Sequence, residues 1–208
     1  MFTFLKKNYL WIILLGSLIG FNETLIGGIK MPYHSVVVNT ITLALLSIAR
    51  YYFPKRGTTM LIIIIAVLFK INSAGIHECT TNFLLCGPTA LLLLGIGYEI
   101  FGSIFIANNS FKYSNYILTC VITSVVMFGV FAVLQTYILR SWDTARLVNY
   151  IFVKGSLTAI ASSAISVFVL YLVRSFRLVN FARLNPYFIS GLLGCLIIAL
   201  WLLGYYSA

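Results

Sequence analysis

A chain of 208 residues with 61% hydrophobic and only 9% charged residues lies outside the soluble classes, which carry about 25% charged residues. Its mean hydropathy of +1.03 and its repeated continuous apolar runs indicate an all-α polytopic membrane bundle of six or seven helices, a single integral membrane domain over residues 1–208. The runs do not alternate, which excludes a transmembrane barrel. The net charge of +10 is what cytoplasmic loops rich in Lys and Arg produce, so nucleic acid is not an expected partner.

The N-terminal stretch begins with Lys6 and Lys7 and continues as an apolar run long enough to span, without a small-residue cleavage site. It reads as a retained first helix, over about Leu10–Ile29. Helix 2 is expected over Tyr33–Phe53, ended by Pro54 and Gly57, and helix 3 over Thr58–Ile76. A short polar hairpin, Gly75 to Asn82, leads to helix 4 over Asn82–Ala107, with Pro88 either in its opening turns or at a kink. Helices 5, 6 and 7 follow over Tyr116–Leu139, Leu147–Val173 and Pro186–Tyr206. No internal or inverted repeat is visible.

Loop charges orient the bundle. Lys6, Lys7, Arg50, Lys55, Arg56, Lys112, Arg174, Arg177 and Arg183 fall on one side, and Lys30, Arg140 and Arg146 on the other, with Asp143 between the last two. The positive-inside rule places the N-terminus in the cytoplasm and the protein in a cell membrane of bacterial inner or plasma type. Trp142 and Trp201 fit the outer aromatic belt, and Trp11, Tyr51 and Tyr52 the inner one.

This orientation gathers polar residues in the outer half. Asn22 and Glu23 lie in the outer third of helix 1, Lys70 and Asn72 in that of helix 3, and Lys154 about two turns down helix 6. His34 opens helix 2 at the same surface, and His77 and Glu78 form the tip of the next outer hairpin. Ionisable groups at such depths are costly in lipid and face a bundle interior or a wet cavity. An ion pair of Glu23 with Lys70 or Lys154 accounts for two of them, and snorkelling accounts for either lysine alone. Two lysines against one carboxylate leave a surplus cation, which a carboxylate-bearing solute would balance. Glu99, near the cytoplasmic end of helix 4, is expected to pair with Arg50 or reach the inner interface rather than serve a proton relay.

His77, Glu78 and Cys79 are ligand types, but only His34 elsewhere could join them, short of a metal site's three or four ligands. The cysteines Cys79, Cys86, Cys120 and Cys195 form no zinc spacing, and a Cys79–Cys86 disulfide is not expected. No catalytic motif, no phosphate-cradling glycine loop and no cofactor box is present. Gly16-x-x-x-Gly20 on helix 1, and Ser156, Ala159, Ser162, Ser163 and Ser166 on helix 6, form small-residue faces for close helix contact, within the chain or against another subunit.

In size, helix number, inner basicity and an outward-facing polar cluster, the chain resembles the substrate-binding (S) components of energy-coupling factor transporters. The stretch GIHECTTNFLLCGPTALLLLGIGYEIF is similar to the segment before a Gly-Pro step in the cobalt- and nickel-type members. The resemblance implies a solute-binding and uptake subunit without catalysis, energised by partner ATPases through a transmembrane coupling subunit that docks on a small-x-x-x-small motif of helix 1. Gly16 and Gly20 take that place here. The N-terminal histidine of the metal-type members is missing from Met1–Lys7, which makes an organic micronutrient the expected solute. Asn22, Glu23, Lys70, Asn72, His77, Glu78 and Lys154 are the candidate solute-binding residues. Two alternatives stay open: a membrane enzyme acting on a lipid or isoprenoid through His77, Glu78 and Cys79, and an accessory subunit of a membrane complex.

Overall fold

The computed structural model describes residues 2–28, 33–74, 81–106, 111–138, 142–175 and 186–207, with the side chains of 8–26, 33–72, 87–106, 111–138, 142–175 and 191–205. Seven helices and no strand occur among them: α1 (Phe2–Gly28), α2 (His34–Tyr52), α3 (Thr58–Ala74), α4 (Thr81–Phe105), α5 (Tyr113–Ile138), α6 (Thr144–Ser175) and α7 (Pro186–Ser207). Without water in the hydrocarbon core, each backbone must satisfy itself, and helices do so within one segment. Stretches of α1, α2, α4, α5 and α6 are long and apolar enough to cross a membrane, and the fully described parts of α3 and α7 are shorter apolar stretches. This is a multi-pass membrane protein.

Three local features of the helices bear on the site. Pro88 lies inside α4, which runs unbroken from Thr81, so it neither opens nor ends the helix. The sixth helix starts at Thr144 rather than Leu147 because Asp143 caps it, its Oδ1 accepting from the Arg146 backbone N–H at 2.8 Å. The same helix widens into a π-helical stretch over Asn149–Gly155, and α5 ends in another over Leu134–Ile138. Such insertions are frequent at functional sites.

Close backbone approach sets the packing. α1 lies against α3, where a Cβ on Gly16 would sit 2.7 Å from the Ile62 carbonyl oxygen, and one on Gly20 would sit 2.6 Å from Phe69 Cβ and 2.9 Å from the Ala66 carbonyl oxygen. The expectation that Gly16 and Gly20 form a docking face for a partner is therefore corrected: α3 of the same chain occupies that face. Gly95 makes room for the Ile63 side chain and Gly97 for that of Met127, which seats α4 between α3 and α5. α2 packs on α6, and α7 flanks α1, where Trp201 Nε1 donates to Ser17 Oγ at 2.9 Å and the Trp201 ring meets Phe69 at 5.0 Å. Trp201 thus faces the bundle instead of serving only an interfacial belt.

Two polar clusters hold the helices in register. In the centre, the Tyr98 hydroxyl of α4 donates to Ser47 Oγ of α2 at 3.0 Å, Ser47 Oγ donates to Ser166 Oγ of α6 at 3.2 Å, and Cys120 Sγ of α5 lies 3.5 Å from Ser166 Oγ. Four helices therefore meet in a fully buried polar knot. At the end carrying Lys55, Arg56 and Lys112, Glu99 pairs with Arg50 at 3.3 Å, as the sequence led one to expect. The same carboxylate accepts from the Gly57 backbone N–H at 2.9 Å, from Ser103 Oγ at 3.3 Å and from Thr59 Oγ1. Arg50 is 2% exposed and also donates to Ser103 at 3.2 Å. The cluster ties the end of α2, the start of α3 and the end of α4 together, which is a structural task.

Two stability predictions follow from these contacts. Removing one partner of a buried ion pair costs about 3–5 kcal/mol because it strands the other charge. Glu99→Ala should therefore lower thermal stability in detergent by about that amount, and the pair Arg50→Met with Glu99→Leu should recover part of the loss. Gly20→Leu, which forces volume into a closed seam, should destabilise by about 1–3 kcal/mol, whereas Gly194→Ala, where a Cβ would meet nothing within 4 Å of a helical backbone, should not lower the melting temperature.

Candidate functional site

At the end opposite the Arg50–Glu99 cluster, the ends of α1, α3 and α5 and the starts of α2, α4 and α6 surround a cavity of about 610 Å³. By the distribution of loop charges this is the outer end. Its size lies within the roughly 300–1,000 Å³ of small-molecule sites.

The floor is built by α1, α3 and α4. Asn22 is turned away, its Nδ2 donating to the Val38 carbonyl of α2 at 3.1 Å, and Thr24 returns its hydroxyl to the Gly20 carbonyl at 3.0 Å. Glu23, about 100° around the helix from each neighbour, is left to line the cavity. Lys70 is 5% exposed and donates through Nζ to the Glu23 carbonyl oxygen at 3.3 Å, which ties the ends of α1 and α3. Across from them, Gly87 of α4 leaves the space open: a Cβ there would lie 3.1 Å from Glu23 Oε1 and 3.5 Å from Lys70 Cε.

The opposite wall is aromatic and cationic. Tyr150 stacks on Phe128 at 5.0 Å and meets Trp142 at 4.7 Å, while Phe131 lies 5.7 Å from both Trp142 and Tyr150. The Arg146 guanidinium sits 4.7 Å from the Trp142 ring centroid and Lys154 Nζ 5.5 Å from that of Tyr150. A desolvated cation over an aromatic face gains about 2 kcal/mol and an exposed one about 0.5–1. Arg146, Tyr150 and Lys154 follow at intervals of four. An α-helix would carry such a series around its axis by about 40° per step, and the wider π turn reverses that drift, so all three line the cavity. On the α2 side, His34, Ser35 and Asn39 complete the lining, and buried Ser35 Oγ has no hydrogen-bond partner among the described residues. Tyr33, whose φ of 62° is left-handed, turns the chain into α2 immediately before them.

Glu23, Lys70 and Lys154 thus share one cavity. Asn22 stands behind its wall. Asn72 is a correction to the expected lining: it is exposed in a separate groove with Ile13, Trp201 and Tyr205, because two residues along α3 turn it about 200° from Lys70. His77, Glu78 and Cys79 lie outside the described residues, as does the Cys86 side chain. Trp142, expected in the lipid-facing belt, belongs to the aromatic wall instead. Asn39, Arg146, Asn149 and Tyr150 were not anticipated as lining residues. The Asp143 cap preceding Thr144 and Arg146 was the available signal, since it begins the helix early enough to bring Arg146 onto the inward face.

No protein-family model and no curated protein matches the sequence, and no solved structure matches the fold.

The position of the cavity can be checked by labelling. A cysteine at Asn149 should react with a membrane-impermeant maleimide added outside intact cells, above the level of the parent chain. A cysteine at Arg56, in the link between α2 and α3, should react only after permeabilisation. The reverse pattern would invert the bundle.

Proposed function

We propose that this chain is a membrane-embedded binding and uptake subunit for an organic micronutrient, energised by partner subunits, in the manner of the S components it resembles. The observation that carries the reading is the cavity itself: Glu23, Lys70 and Lys154 converge on it from three helices, with an aromatic wall beside them and polar side chains of α2 on its rim. A purely structural ion pair would need no such volume, since paired charges in a bundle close on one another. Aromatic faces with a few convergent polar groups are the usual composition of a small-molecule site.

Energy for uptake would come from elsewhere, because the sequence carries no nucleotide-binding motif. A coupling subunit would have to dock on a surface other than the Gly16–Gly20 face, which α3 covers.

The test is ligand-induced stabilisation of the purified chain in mild detergent, screened across organic micronutrients. A ligand at 100 times its Kd raises stability by about 2.7 kcal/mol. A hit whose shift disappears in Lys70→Ala and Glu23→Gln, with both variants folded, supports the reading. Variants that hold every bound solute as the parent does would remove the site assignment.

A further inference from the structure

Charge and shape within the cavity indicate the kind of solute, an inference that rests on the uptake reading above. Among the described residues, three basic side chains (Lys70, Arg146 and Lys154) and two carboxyl groups (Glu23 and Asp143) line it. The charges are also segregated. Lys70 is tied to the Glu23 backbone on the floor, and Asp143 spends an oxygen on the Arg146 backbone N–H as a helix cap. Arg146 and Lys154 are instead held over the faces of Trp142 and Tyr150, and neither has a carboxylate within ion-pair distance among the described residues.

A cation resting on an aromatic face keeps its outward donors available, since the ring engages only one side of it. Two such cations two turns apart on one helix, flanking Tyr150, form a receptor for an anionic group beside a flat ring. Phe128 and Lys154 cover Tyr150, so the partly exposed Trp142 supplies the contact for that ring. Gly87 and Ala90, one turn apart on α4, keep the space between this wall and the floor free of bulk.

We propose that the cavity takes an organic anion bearing a planar ring, with the anionic group between Arg146 and Lys154 and the ring against Trp142.

The experiment is isothermal titration calorimetry on the full chain in detergent with three probes: quinoline-3-carboxylate, its uncharged carboxamide, and cyclohexanecarboxylate. Quinoline-3-carboxylate should bind at least tenfold more tightly than either of the others, and higher salt should narrow its lead over the carboxamide. Arg146→Gln and Lys154→Gln should each weaken the quinoline carboxylate about tenfold while leaving the carboxamide unchanged, and Arg146→Lys should restore part of the loss. Equal affinity for carboxylate and carboxamide, no response to either glutamine variant in folded protein, or no binding of the quinoline carboxylate would overturn the proposal. The two readings fail separately. A screened solute that lacks an anionic group but binds in a Glu23- and Lys70-dependent way leaves the uptake reading standing and removes this one, whereas absence of binding by every screened solute and probe removes both.

Discussion

Gly16 and Gly20 let α1 lie close on α3, against the Ile62 and Ala66 carbonyl oxygens and the Ile65 and Phe69 side chains, and that contact sets the register of the outer end of the bundle. Glu23 follows Gly20 by three residues and Lys70 follows Phe69 by one, so the seam that closes below them brings the two charged residues together above it. In lipid there is no hydrophobic drive for helices to associate, and small residues that permit close packing take its place. On α4, Gly95 and Gly97 make room for the Ile63 and Met127 side chains, and Gly87 arrives opposite Glu23.

The molecule divides its polar chemistry by depth. At the inner end, Glu99 is held by Arg50, Gly57, Thr59 and Ser103, which all reach its carboxylate. In the middle, the Tyr98–Ser47–Ser166–Cys120 knot is closed on itself. At the outer end the groups do not close. They are spread over the walls of a space large enough for a small organic molecule. Satisfied polar clusters rigidify a bundle. Spread ones are where a solute can supply what the protein leaves open.

The π-helical stretch of α6 has a place in this scheme. A helix cannot hold residues at intervals of four on one line with 3.6 residues per turn. The widened turns over Asn149–Gly155 keep Arg146, Tyr150 and Lys154 facing the same space, and Gly155 closes the stretch against Phe128, where a Cβ would lie 3.4 Å from Phe128 Cβ. The aromatic wall and its two cations depend on that local irregularity.

Composition and continuous apolar runs were enough to determine a multi-pass helical bundle, because membrane solvation leaves the backbone few alternatives. Loop charges ordered the helices by direction, and from that the depth of Glu23, Lys70 and Lys154 followed; for Glu99 they left pairing with Arg50 and reach to the inner interface both open, and the structure shows the pair. Which residues share a cavity was decided only by the tertiary structure. Lys70 and Asn72 have the same depth yet point to opposite sides of α3, since facing is set by rotation about the helix axis and hydropathy reports only depth. Gly16 and Gly20 carry the same pattern whether the covering helix belongs to this chain or to another, and only packing showed it to be α3. Arg146 and Tyr150 became part of the wall through a helix cap and a π turn, both of which arise from local geometry that an apolar run does not encode.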